Sequence, residues 1–182
     1  MLMDLNLNII ALASDARSYY DAYEILQEKT SEMRRIQSNK NTGTSKKFKG
    51  MPMPHTERDI NLTTPALVCL AFSIELHVKL LLQTYDIIAR GHDIGNLLKE
   101  LPEDDVVFIS THKDFDHTHQ GEYFFENIAI ASKLFIRTRY YFENLGTLHF
   151  NTGFCATLAK VIRKRIVQRV PYLSYDLGSF SD

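Results

Sequence analysis

The sequence predicts an all-α fold, an antiparallel helical bundle with one long polar loop. Three observations lead there. Apolar residues recur at helical spacing over long stretches; one segment near the middle is apolar almost all round; and no alternating apolar–polar run of useful length marks a strand. A chain of 182 residues suits one domain, spanning 1–182, with 45% hydrophobic and 24% charged residues. Those values exclude a mostly disordered chain.

The first helix is expected over about Leu5–Met33, where Ile9, Leu12, Ala13, Ala16, Tyr19, Tyr20, Tyr23 and Leu26 recur at helical spacing. Gln37–Asn61 follows, polar and without period. It holds Gly43, Gly50, Pro52 and Pro54 and reads as a long flexible basic loop. Thr64-Pro65 has the form of a cap followed by proline at the first helical position. The helix it opens, Pro65 to about Ile88, carries Leu67, Val68, Leu70, Phe72, Ile74, Leu76, Val78, Leu80 and Leu81 around most of its circumference, the mark of a central, buried element.

Asp93 is placed to cap a short helix over Ile94–Leu101, which Pro102 ends, and a second short helix covers Glu103–Ile109. His112–Gly121 is polar and loop-like. A long helix is expected over Glu122–Leu145, with Gly146 suited to the C′ position. The last helix covers about Thr152–Val170 and stops at Pro171, leaving Tyr172–Asp182 as a frayed tail.

Two charged pairs fall within apolar helix faces. Glu75 and Lys79 lie four apart, about 40° around the helix, in the sector of Val68 and Phe72. Arg139 and Glu143 fall in the face defined by Phe125, Ile128, Ala129, Phe135, Ile136 and Phe142. Unpaired buried charges cost several kcal/mol. The expectation is therefore a buried polar network in which Glu75 pairs with Arg139 and Lys79 with Glu143, tying two central helices together.

The run Pro65-Ala66-Leu67-Val68-Cys69-Leu70-Ala71-Phe72-Ser73-Ile74-Glu75-Leu76-His77-Val78-Lys79 resembles the central helix of HEPN proteins (higher eukaryotes and prokaryotes nucleotide-binding). Gly91-His92-Asp93-Ile94-Gly95-Asn96-Leu97-Leu98 is similar to the element that follows it, and Arg139-Tyr140-Tyr141-Phe142-Glu143 to an Arg-Tyr-x-x-Glu element of prokaryotic members. The three occur in the family's order and span Pro65–Glu143. The resemblance implies a HEPN-like antiparallel up-and-down helical bundle that forms a homodimer. It also implies a place among RNases of toxin–antitoxin and defence systems or among their non-catalytic partners. Nuclease members carry an Arg, four to six residues, then His, the Arg stabilising phosphate charge and the His moving a proton. No arginine here has a histidine at that distance; Arg139 to His149 is too long, and Gly146 intervenes. That departure points to a non-nucleolytic module with a binding or regulatory role toward RNA or a nucleotide. The alternatives are a metal-independent endoribonuclease with a non-standard site, its catalytic candidates Arg139, His149 and His92, and a pure protein-interaction subunit.

The other candidates have simpler expectations. Asp93 is explained by capping, and His92 is placed to bond into the Glu75/Lys79 region. His77 lies off that stripe and reads as a packed or interface histidine. His112, Asp116, His117 and His119 are ligand types for a divalent metal, but their spacing gives no helical pair, so a solvated loop is expected and no metal. Cys69 and Cys155 are far apart in apolar segments, without zinc spacing, and read as reduced core thiols. Neither G-x-G-x-x-G nor G-x-x-x-x-G-K-[ST] occurs, so no cofactor is expected.

The net charge of −1 excludes a polycation built for nucleic acid. Basic residues nonetheless concentrate in two places: Arg34, Arg35, Lys40, Lys46, Lys47 and Lys49, and then Lys160, Arg163, Lys164, Arg165 and Arg169. Of these, Lys46, Lys47, Lys49, Arg163 and Lys164 are the nucleic-acid-binding candidates. The N-terminus has no basic n-region, and Glu75, His77 and Lys79 interrupt the longest apolar run. A cytoplasmic protein without membrane association is the expectation.

Overall fold

The computed structural model describes residues 2–43, 62–133 and 151–178, and among them every regular element is helical. The α-helices are α1 (Leu2–Gly43), α2 (Thr63–Gln83), α3 (Ile94–Lys99), α4 (Glu103–Ser110), α5 (Glu122–Ala131), α6 (Thr152–Arg169) and α7 (Ser174–Leu177). Short 3-10 turns lie at His117–His119 and Pro171–Leu173. The all-α class read from periodicity is the observed one.

α2 is the core of the molecule. Leu80, Leu81 and Leu82 are consecutive and all 0% exposed. Three successive side chains point in directions about 100° apart, so their joint burial means that neighbours surround the helix. By length and composition α2 could cross a membrane, but 67% of its most apolar stretch is buried inside the structure. α1 runs antiparallel to it: the Ser73 hydroxyl donates to the Ala16 carbonyl at 3.0 Å, and Tyr19 stacks on Phe72 one step further along. α6 runs in the same direction as α2, its Arg169 reaching Thr84 and the ring of Tyr85 at the C-terminal end of α2. Phe115, Phe124 and Phe154 pack ring to ring where the segment before α5, α5 itself and α6 meet.

Several boundaries differ from expectation. α1 continues through residues 37–43, which polarity had assigned to the loop; no glycine or proline interrupts Leu2–Thr42, and polar side chains only mark exposure to water. α2 begins at Thr63 after Leu62, with no side-chain cap. Pro65 sits within its first turn, where the missing N–H removes no intrahelical bond. α2 ends at Gln83, not Ile88, because Asp86 adopts φ +59 and Ile87 N–H returns to the Leu82 carbonyl. Of the expected tail, residues 172–178 are docked instead of frayed, with Leu173 and Leu177 both 0% exposed, and the rest lies outside the described residues.

The expected cap at Asp93 is present, its carboxylate accepting from Asn96 N–H at 2.9 Å. α5 closes at Ala131 and turns at Ser132, short of the long helix expected to Leu145. The remainder of that expected helix, the loop residues from 44 to 61 and Gly146 lie outside the described residues. Cys155 is buried and Cys69 half-buried, both free thiols. Burial pushes the Cys155 thiol up to about 12, so it stays protonated.

Candidate functional site

Glu75, Lys79 and His92 meet at one carboxylate oxygen. Helix periodicity stacks Lys79 one turn beyond Glu75, and the Lys79 ammonium donates to Glu75 Oε1 at 2.7 Å. After α2 ends, the chain turns back through Gly91, whose φ of +86 suits glycine, and delivers His92 to the same oxygen. His92 Nδ1 lies 2.9 Å from Glu75 Oε1. A carboxylate only accepts, so Nδ1 carries the proton in this bond. The Glu75 side chain is 4% exposed, Lys79 21% and His92 62%. The site thus grades from a buried acid to an imidazole in water. Glu75 Oε2 is buried and has no hydrogen-bond partner among the described residues.

A carboxylate that fixes the tautomer of an exposed imidazole can orient it as an acceptor or base, and the adjacent ammonium offers a point charge to an anion. The expected partners Arg139 and Glu143 lie outside the described residues, as do His149, Lys46, Lys47 and Lys49. Within the described set, Glu75 is paired with its own helix neighbour and with His92.

The two described basic candidates diverge. Arg163 is 5% exposed, and its guanidinium donates to the Gly178 carbonyl. Lys164 forms an ion pair with Asp114 at 2.5 Å. Three of the four metal-ligand candidates of the His112–His119 stretch have partners within the fold. Asp114 N–H donates to His112 Nδ1. Burial holds His112 below the usual imidazole range. Asp116 caps the 3-10 turn by accepting from the Thr118 hydroxyl and N–H, which lower its carboxyl. His119 Nε2 lies 2.7 Å from Asn151 Nδ2, and His117 is exposed. Among the described residues no three His, Cys, Asp or Glu side chains come together to hold a metal.

One buried polar centre escaped the sequence reading, and a second was read only as a packed or interface histidine. Asp105, 0% exposed, accepts from Arg165 Nε and from the Tyr85 hydroxyl, both at 2.6 Å. Arg165 also lies over the Phe108 ring, so α4, α6 and the turn after α2 are clasped around one carboxylate. Burial and the bond to Asp105 raise the Tyr85 phenol. Asp105 shares a face with Ile109 one turn on, and the projection that found Glu75 could have found it. The second centre is His77, 1% exposed. Its Nδ1 lies 2.7 Å from the Ser73 carbonyl, to which it donates, while Nε2 is buried with no partner among the described residues. Burial first, and then the charge of Arg163, push its pKa down to about 4. It is packed, as its place off the Glu75 stripe implied.

Comparison of the chain with family models, with curated proteins and with solved structures finds no match in any of the three.

Proposed function

We propose that the chain is a HEPN-like helical module that binds RNA or a nucleotide without cutting it, in a regulatory role within a defence or toxin–antitoxin setting, and acts as a cytoplasmic homodimer. The carrying observation is the meeting of Glu75, Lys79 and His92. They belong to two separate segments, each similar to a HEPN element, and the fold brings their polar residues to a single oxygen. The non-nucleolytic part rests on the sequence, in which no Arg has a His four to six residues beyond it. One observation favours a second reading as an endoribonuclease: the Glu75–His92 bond holds the imidazole in the tautomer a general base needs.

The test is binding and cleavage of mixed RNAs by the purified chain, beside Arg139→Ala and a Lys46→Gln/Lys47→Gln double variant. Binding that weakens with salt, with a shallower salt slope in the lysine variant and no cleavage, is the expected result. Cleavage that survives chelator and vanishes in Arg139→Ala would move the assignment to the endoribonuclease. A stable complex with another protein in the absence of any RNA or nucleotide binding would move it to an interaction subunit.

A further inference from the structure

We propose that the cavity between α1, α6 and the C-terminal segment is a binding site for a nucleoside phosphate. This rests on the reading above for the class of ligand and adds where it sits. The cavity has a volume of about 740 Å³. That falls within the usual range for small-molecule sites, roughly 300–1,000 Å³, and is far larger than an inorganic phosphate needs.

Its wall combines charge and an aromatic ring. Arg17 comes from α1, Arg163 and Lys164 from α6, and no carboxylate lines the cavity among the described residues. The two guanidinium groups converge on the same stretch of backbone. Arg163 donates to the Gly178 carbonyl, and Arg17 donates to the Tyr175 carbonyl at 3.4 Å. Gly178 has φ +71, and a Cβ there would lie 2.8 Å from Arg17 Cζ, so glycine is what lets the chain pass this close. Burial, and then the neighbouring Arg17 charge, lower the Arg163 guanidinium, while Asp21, Tyr20 and Glu24 oppose that shift from α1. Like charges held together beside an open cavity favour an anion between them.

The ion pairs that flank the cavity are of the exchangeable kind. Arg17–Asp21 spans 3.3 Å with both side chains more than two-fifths exposed, and Lys164–Asp114 is also partly in water. Pairs in water contribute little to stability, so a phosphate with several acceptor oxygens can take up these cations at small cost. Tyr175, 88% exposed, presents a ring that the fold leaves in solvent at the cavity rim. Phosphate-binding cations beside a free aromatic face are what a nucleotide requires: charge for its phosphates and a surface for its base. Ser174 and Gln168 add a hydroxyl and an amide between them.

The test is calorimetric titration of the full chain with ATP and, separately, with pyrophosphate. ATP is expected to bind one per chain. Arg17→Gln/Lys164→Gln should lower both affinities at least tenfold, whereas Tyr175→Ala should lower that of ATP roughly tenfold and leave pyrophosphate unchanged. Asp114→Asn, which releases Lys164 without removing it, should bind as well as the wild type or better. A far-ultraviolet spectrum and melting curve for each variant separate lost binding from lost fold. ATP or RNA binding that is untouched by the Arg17, Lys164 and Tyr175 substitutions would overturn this site while leaving the proposed function standing. A wild-type chain that binds neither ATP nor RNA would remove both.

Discussion

His77 provides the sharpest test of the packing between α1, α2 and α6. The imidazole is 1% exposed, donates from Nδ1 to the Ser73 carbonyl, and faces Arg163 from α6 and the Ser73–Ala16 bond that joins α1 to α2. An unfolded histidine protonates near 6.5, whereas this one holds off its proton until about pH 4. Between those values the unfolded chain binds the proton and the folded chain does not, so stability falls as pH falls through the window. At about 1.4 kcal/mol per pH unit, the full window corresponds to roughly 3 kcal/mol. The carboxylates add their own titration at the acid end, so the informative quantity is a difference between wild type and His77→Phe. Phe fills the site without a titrating group, and the Ser73 carbonyl keeps its helical N–H partner. Urea unfolding of both proteins at half-unit steps from pH 7.5 to 4 should show the wild type losing roughly 3 kcal/mol more than the variant. Parallel stability–pH curves for the two proteins, or an imidazole that titrates near 6.5 by NMR in the folded state, would refute the reasoning.

Three further outcomes follow from other buried groups. Asp105→Ala leaves Arg165 and the Tyr85 hydroxyl without their shared acceptor and should cost about 3 kcal/mol in urea unfolding, at the low end for a broken buried pair because Arg165 still touches water. Glu75→Gln keeps the side-chain volume but removes the charge that Lys79 and His92 share; a loss of about 1–3 kcal/mol is expected, with retention of helical circular dichroism. Gly178→Ala forces a side chain into a backbone region reserved for glycine and against the Arg17 guanidinium, and should lower stability by about 1–3 kcal/mol by the same measurement.

The sequence was most legible where burial and periodicity coincide. α2 announced itself because a helix hydrophobic on every side can only be central, and Leu80–Leu82 are buried on every side. Glu75 and Lys79 stood out for the complementary reason that charges inside an apolar face must find partners; Glu75 meets Lys79 and His92, while the expected partners Arg139 and Glu143 lie outside the described residues. Polarity misled at residues 37–43, since a polar composition says nothing about backbone hydrogen bonding. Asp86 misled at the end of α2, since an aspartate in the left-handed region stops a helix without the glycine that usually signals it. Asp105 was obscured by its position in an acidic first turn, where three carboxylates all suit the helix dipole and only its alignment with Ile109 sets it apart from its neighbours. The docking of Leu173 and Leu177 depends on contacts distant in sequence, which no local pattern records.

α1 holds two kinds of helix in one rod. Its 42 residues extend about 63 Å, twice the span of the 21-residue α2 beside it. Among its described side chains Thr30 is the last buried one, and from Ser31 to Ile36 every side chain is exposed except the half-buried Met33. From Ile9 to Thr30 the rod melts only if the core melts, because its coil state must give up the packing against α2. Past that point helicity depends on propensity, on pairs such as Lys29–Glu32, and on propagation from the packed turns behind it. The far third of α1 is therefore governed by a helix–coil equilibrium seeded by the folded body: the core supplies the nucleus, and the solvent-side turns lengthen or shorten with temperature while the fold stays intact.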